Sequence, residues 1–291
     1  MSREAAFIAA LRDLAAHPAA RGLADDCAVL ELGGETLVLT HDAMAEGVHF
    51  LPEQDPADVA WKLVASNLSD LAAKGAEPLG VLLGYQFGTD DARFLAGLED
   101  VLAHYGVPLL GGDTISATGP QVLGLTALGR ATHRPAPSRA DAKVGDGLWI
   151  TGPVGGAMLG FEALRDKTAE DSRVFRRPLA LLSEGWALAP VVTAMMDVSD
   201  GLLLDASRMA RASGISFAID SAAVPIAAPE ARRAEALRWG EDYQLLFTLP
   251  AGAEPPIAAH RVGAACAAGE APVVLDGIPL TEASGLGYEH S

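Results

Sequence analysis

Asn67-Leu68-Ser69-Asp70-Leu71-Ala72-Ala73-Lys74-Gly75-Ala76-Glu77-Pro78 is the stretch on which the reading of this chain turns. It forms the second half of a helix whose start is marked by Asp55 as N-cap, Pro56 at the first helical position and Asp58 at the positive end of the dipole. Gly75 and Pro78 supply the stop. At about 100° per residue, Val59, Ala60, Leu63 and Leu71 define an apolar stripe, with Asn67 in its middle and Asp70 along its edge. A carboxylate in that position needs a lysine, hydrogen-bond donors or a metal ion, because burying it bare is costly. For one residue alone, a capped or lysine-paired aspartate is the commoner answer.

The rest of the chain narrows the choice. Its 291 residues can bury a sizeable core and predict two domains. Lys plus Arg number 21 against 38 Asp plus Glu, a net charge of −17. Such a surface repels a phosphate backbone or an anionic membrane, so neither nucleic acid nor membrane is expected as a partner. A small polyanion such as a nucleotide can still bind if divalent cations sit between its phosphates and the carboxylates. Cys27 and Cys266 are too few for a disulfide framework, and neither belongs to a CxxC pair, so a reducing compartment and no zinc site are expected. The N-terminal stretch lacks a signal-peptide core, and the apolar run Leu179 to Met196 is interrupted by Glu184 and Pro190. The expectation is a cytoplasmic protein.

In chain order, residues 3–16 read as an amphipathic helix, and residues 21–30 turn through Asp25-Asp26 into a strand. Thr36 to Thr40 is a β-rich run ending on His41-Asp42, followed by a loop carrying His49. After the central helix come a strand over 79–87, a helix over 90–105, and a short strand over 107–110 ending in Gly111-Gly112-Asp113-Thr114. Asp42, Asp113 and Asp197 are thus read as strand ends. A strand over 121–128 precedes a linker over 130–142 with Pro135 and Pro137, which divides the chain into domains at 1–135 and 140–291. The second domain opens with a strand turning through Gly152, Gly155 and Gly156 into a helix. That turn suits a phosphate but lacks a P-loop lysine, and glycines between a strand and a helix are more often only a turn. A helix over 178–194 precedes Asp197-Val198-Ser199-Asp200-Gly201, where Asp200 also suits the N-cap of the next helix, running to Gly214. Gly240-Glu241-Asp242-Tyr243 enters a strand over 244–249.

Asp26, Asp42, Asp70, Asp113, Asp197 and Asp200, with the Thr40 and Ser199 hydroxyls nearby, make a set of hard oxygen donors at element ends. Without Cys or paired His among them they favour Mg²⁺, which shares its shell with waters and substrate phosphates. Phosphoryl transfer is the chemistry such a set serves, because several Asp-held ions can neutralise and align a nucleotide's phosphates without a Walker lysine.

With these motifs in this order the chain resembles the thiamine-monophosphate kinase family, within the superfamily that holds aminoimidazole ribonucleotide synthetase, selenophosphate synthetase and a hydrogenase-maturation protein. The resemblance runs from Ala24-Asp25-Asp26 to Gly287-Tyr288-Glu289-His290. Its most specific pieces are Glu46-Gly47-Val48-His49-Phe50, Asn67 to Ala73, Gly111 to Thr114, Asp197 to Gly201 and Gly240 to Tyr243. It implies a two-domain α/β ATP-binding fold, an N-terminal sheet that pairs across a homodimer, and a C-terminal α/β domain. The implied reaction is Mg²⁺-dependent, in-line transfer of the ATP γ-phosphoryl group to thiamine monophosphate, in thiamine diphosphate biosynthesis. By matching motifs, Asp26, Thr40, Asp42, Asp70, Asp113, Asp197 and Asp200 would be ligands of several Mg²⁺ ions. Gly112, Asp113, Arg139 and Ser199 would contact ATP, and His49, Glu241 and Tyr288 would hold the thiamine end. No general base is assigned, since an acceptor phosphate is already an anion at neutral pH.

The chain departs from the family pattern at Ala24 before the paired aspartates, at His41 beside Asp42, at Ile115-Ser116 after the GGDT stretch, and at Trp239 before Gly240. These leave the metal set intact and alter the pocket, which would accommodate another phosphorylated acceptor. Two other readings follow: a binding protein that keeps the fold without turnover, and an enzyme that activates a carbonyl or selenide oxygen with ATP.

Overall fold

Two sheets enclose one long helix. The computed structural model describes residues 3–281 and 284–288. A helix α1 (Arg3–Arg12) leads into the first sheet, made of β1 (Ala28–Leu32), β2 (Glu35–Ala45), β3 (Ala76–Gln86), β4 (Leu109–Ile115) and β5 (Val122–Ala131). Their spatial order is β1-β2-β5-β3-β4, antiparallel except between β3 and β4. Between β2 and β3 runs α2 (Pro56–Ala73), and α3 (Asp91–Tyr105) is the crossover that the parallel β3–β4 pair requires.

The second sheet contains β6 (Gly147–Ile150), β7 (Ala194–Asp197), β8 (Ser216–Ile219), β9 (Leu245–Leu249), β10 (His260–Cys266), β11 (Val273–Leu275) and β12 (Ile278–Leu280), in the order β12-β11-β8-β10-β6-β9-β7. Helices α4 (Gly156–Arg165), α5 (Arg173–Arg176) and α6 (Leu182–Leu188) fall between β6 and β7, α7 (Leu202–Ser213) between β7 and β8, and α8 (Arg233–Ala236) between β8 and β9. The architecture is mixed α/β in two halves.

The expected signals do bound α2: Asp55 accepts from the Ala57 amide at 2.9 Å, Pro56 opens the helix and Lys74 closes it. The expected one-sided stripe is corrected, because almost the whole helix is buried, Lys62, Asn67 and Ser69 included. On one side α2 packs against α3 and strands β2, β3 and β5; on another it meets α6 and β7. With protein on both sides little of the helix beyond Asp70 remains for water, so the buried polar residues on it need partners inside. Gly185 of α6 lies so close to the Ala72 carbonyl that a Cβ there would collide with it.

The cores follow strand alternation. Trp149, Met195 and Phe247 pack into one core with Leu63, Leu68 and Leu71 of α2, each leucine worth roughly 1.5–3 kcal/mol of burial. Leu148, Ile150, Met196 and Leu246 point the opposite way, into a second core with Leu203 and Met209 of α7. Strands β6, β7 and β9 are therefore covered on both faces, which is why they read as continuous apolar runs.

Several expectations are corrected. β2 continues through His41 and Asp42 to Ala45, held by unbroken pairing with β5, and β4 continues through Asp113 to Ile115; of the three aspartates only Asp197 ends a strand. The N-terminal helix stops at Arg12, and residues 18–23 form a tight 3-10 turn ahead of β1. The helix expected over 178–194 is the 7-residue α6; Pro178 and Pro190 flank it and remove the donors a longer helix needs. β5 runs to Ala131, into the stretch read as linker, and the short strands β10 to β12 had no counterpart in the sequence reading. Cys27 is buried and Cys266 half-buried, both free. No described helix is long and apolar enough to cross a membrane. Glu289 and His290 of the quoted tail lie outside the described residues.

Candidate active site

A cavity of about 510 Å³ opens between β2, α2 and the loops of the second half, and its wall includes Asp42, His49, Asp70, Asp197, Ser199, Asp200, Glu241 and Tyr288. Buried polar residues of α2 tie the elements that line it. Asn67 donates to the Leu63 carbonyl at 2.9 Å and accepts from the Asp42 amide at 3.1 Å, pinning β2 beside the helix. Ser69 donates to Asp197 Oδ2 at 2.6 Å, pinning the end of β7. Asp70, from the same helix, accepts from the Thr40 hydroxyl of β2.

Three elements thus converge. Carboxylate oxygens of Asp26, Asp70 and Asp197 lie within 4.8 Å of one another. Burial pushes Asp70 well above the ordinary carboxylate pKa, with the charges of Asp42, Asp197 and Asp26 adding to it against the Thr40 hydrogen bond. Asp197 is raised in the same way by burial and then Asp26, with Ser69 opposing. Burial lifts Asp42 to about 6, Asp200 and Asp26 adding and His41 opposing. No ion pair to Lys or Arg reaches Asp70 or Asp197 among the described residues. Crowded hard-oxygen donors, of which Asp70 and Asp197 have no described cation to neutralise them, fit Mg²⁺.

The neighbouring carboxylates are neutralised from within. Lys74 Nζ lies 2.5 Å from Asp25 Oδ1 and 2.6 Å from Asp26 Oδ2, Arg21 is 2.6 Å from Asp25, and Arg139 pairs with Asp26. Burial works against Asp25, yet these cations hold it well below the usual range. Arg139 is therefore seated on Asp26 and is absent from the cavity wall. Gly112 and Asp113 lie apart too, exposed on β4.

At the start of α7, Asp200 is not the N-cap; Gly201 is, and Asp200 pairs with Arg208. Asp205 satisfies the loop, accepting from the Ser199 and Asp200 amides at 3.1 and 3.0 Å. Burial raises Asp205 to about 7 against the pull of Arg208. An acidic residue in a first helical turn was the available signal for it. Gly240 lies against the Ser199 carbonyl, where a Cβ would collide, and the Glu241 and Tyr288 amides donate to the Ser199 and Asp200 carbonyls at 2.7 and 3.0 Å. His49 accepts from the Ala45 amide through Nδ1 at 3.1 Å.

The glycine turn before α4 holds an anion of its own: Asp242 accepts from the Gly155 and Ala157 amides at 2.6 and 2.9 Å. It is a plain turn with an internal carboxylate where a phosphate would sit. Phe161 and Trp239, with ring centroids 5.5 Å apart, line the cavity beside Glu241 together with Tyr243. Sequence reasoning missed Phe161; Tyr243 stood in a quoted motif without a role, and Trp239 stood out only as a departure. His41 faces Thr126 across the sheet at 2.9 Å and is not part of the wall.

Residues 24–131 match the family model described as AIR synthase related protein, N-terminal domain, and residues 143–270 the corresponding C-terminal domain. A thiamine-monophosphate kinase of Escherichia coli (strain K12) is 36% identical over 249 residues, 79% of this chain and 76% of that protein. One from Caulobacter vibrioides is 42% identical over 219 residues, 72% of this chain and 62% of that protein. Among solved structures, AaThiL complexed with AMPPCP and TMP superimposes with a TM-score of 0.86 at 28% identity, covering 97% of this chain and 96% of that one.

Proposed function

The chain belongs to the thiamine-monophosphate kinase family, and on that premise we infer that it transfers the γ-phosphoryl group of ATP to thiamine monophosphate, giving thiamine diphosphate and ADP. The observation that carries this reading is the juxtaposition, in one cavity, of Asp70 and Asp197, which no described lysine or arginine pairs, with His49 and Glu241.

Asp26, Asp70 and Asp197, with Thr40, Asp42 and Asp200 around them, would hold several Mg²⁺ ions. Bound there, Mg²⁺ supplies charge neutralisation and alignment of the transferring phosphates. Ser199 and Arg139 are assigned to ATP. At the other end of the cavity, the Glu241 carboxylate complements the positive thiazolium ring, and His49, Tyr288, Phe161 and Trp239 supply polar and aromatic surface for the rings. The attacking oxygen belongs to the acceptor's own phosphate and is already ionised, so the residues need only position and shield it. Fixed dipoles and charges, prepared before the substrates arrive, account for the rate.

The same proposal includes a cytoplasmic homodimer and domains at 1–135 and 140–291. The edge strand β4 exposes Leu109, Leu110 and Ile115 beside Gly112 and Asp113, and pairing of first sheets between two copies would cover it. Roles for Gly112 and Asp113 belong to that dimer. Following ADP and thiamine diphosphate together, with purified protein, ATP, Mg²⁺ and thiamine monophosphate, tests the reaction. Equimolar appearance of both is expected; ATP binding with neither product would replace this reading with another acceptor or a binding protein.

A further inference from the structure

Lys62 is wholly buried in α2 and does not line the cavity. A lysine in such a place is strongly destabilising unless its charge and donors are met. Three segments distant in sequence meet them. Its Nζ lies 2.6 Å from Glu241 Oε1, donates to the His49 main-chain carbonyl at 2.8 Å, and stands 3.6 Å from the ring centroid of Phe175 on α5. The ammonium group has three N–H donors, and two oxygens and one aromatic face account for them.

Two of those partners carry the acceptor end of the pocket. Glu241 sits in a left-handed conformation at φ 66°, a strained place for a non-glycine residue, and Tyr243 does so at φ 50°. Main-chain bonds from Glu241 to Ser199 and from Tyr243 to Val198 hold the backbone, and among the described residues it is Lys62 that anchors the Glu241 carboxylate. That carboxylate remains 22% exposed and borders the cavity. Burial lowers the Lys62 pKa and raises that of Glu241, and each charge opposes the shift of the other.

We propose that Lys62 is a positioning residue for the acceptor: from inside α2 it fixes the Glu241 carboxylate and the His49 loop together, and so sets affinity for a cationic acceptor that it never touches. The proposal rests on Glu241 holding the acceptor, as described above. It makes α2 the support for both ends of the cavity, Lys62 for the acceptor and Asp70 for the phosphates.

The test compares Lys62→Met, Lys62→Arg, Glu241→Gln and the Lys62→Met/Glu241→Gln pair by kcat and by KM for thiamine monophosphate and for ATP, with thermal melting alongside. Losing a charge-assisted contact predicts that Lys62→Met raises the acceptor KM by about tenfold or more, with the ATP KM within about twofold. Lys62→Arg, which keeps the charge, is expected to fall between wild type and Lys62→Met. In the Glu241→Gln background, Lys62→Met should add less than about twofold, since both changes remove one interaction. A purely structural lysine would lower stability and leave this KM ratio unmoved. If Glu241→Gln raises the acceptor KM while Lys62→Met and Lys62→Arg leave it unchanged, the positioning role is wrong. If Glu241→Gln itself leaves it unchanged, the assignment of Glu241 is wrong and the proposal falls with it.

Discussion

Asp25 adjoins Asp26 in sequence and Asp70 shares a carboxylate cluster with it, and the two meet desolvation in opposite ways. Asp25 has Lys74 and Arg21 at ion-pair distance, and its pKa falls below the ordinary range. Asp70 has the Thr40 hydroxyl and a ring of other carboxylates, and its pKa rises. The same side chain is a stabilising member of an internal ion pair in one place and an electrostatic burden in the other. A protein keeps the second arrangement when something else supplies the positive charge, and here the burden faces a cavity.

The strongest way to break this contrast is Asp70→Asn. Turnover should fall by about a thousandfold or more, because charge alignment at the phosphates is lost, while the metal-free protein gains roughly 1–3 kcal/mol as a repelling buried charge disappears. Retained turnover, or a lower melting temperature without metal, would show that Asp70 is an ordinary structural aspartate. Lys74→Met probes the other side and should move stability the opposite way, by about 3–5 kcal/mol downward in urea unfolding, since Asp25 would be left buried without its nearest cation. An unchanged midpoint would mean that Arg21 and Arg139 suffice.

Asp242 sharpens the comparison, as a buried carboxylate held by neutral amides rather than cations. Burial raises its pKa from 3.8 to about 6, against the amide hydrogen bonds. A raised carboxylate contributes stability that is full below about pH 4 and is lost as pH rises through about 6, here on the order of 3 kcal/mol. Asp242→Asn should therefore flatten the fall in unfolding free energy between pH 4 and 6, and an identical slope in both proteins would count against that origin. The smallest effect concerns Mg²⁺ itself. At a hundred times its Kd it should stabilise the wild-type chain by about 2.7 kcal/mol and Asp70→Asn far less; equal melting shifts in the two would place the ion elsewhere.

Much of this was legible in the residues. Asp55, Pro56 and Gly75 bound α2 because capping and turn chemistry are local, and the strands at β6 and β9 were read from their apolar runs, though not their burial on both faces. Asp42 and Asp113 were misread as strand ends because pairing with β5 and β3 carries β2 and β4 past their polar residues. The 178–194 helix was overextended because apolar content alone does not locate a helix end.

The sequence by itself determined the helix that carries Asn67, Ser69 and Asp70, the motifs around it and the family they resemble, all of which depend on residue type and near-neighbour spacing. Only the tertiary structure decided which carboxylates share a site and which have cations. Ser69 and Asp197 are 128 positions apart, and their 2.6 Å contact exists because α2 is packed between two sheets. Lys62 illustrates the same limit: on a helical wheel it is one more charged residue, and its pairing with Glu241 arises where the two halves close around it. Charge pairing inside a protein is a property of distances that chain connectivity leaves open and core packing fixes.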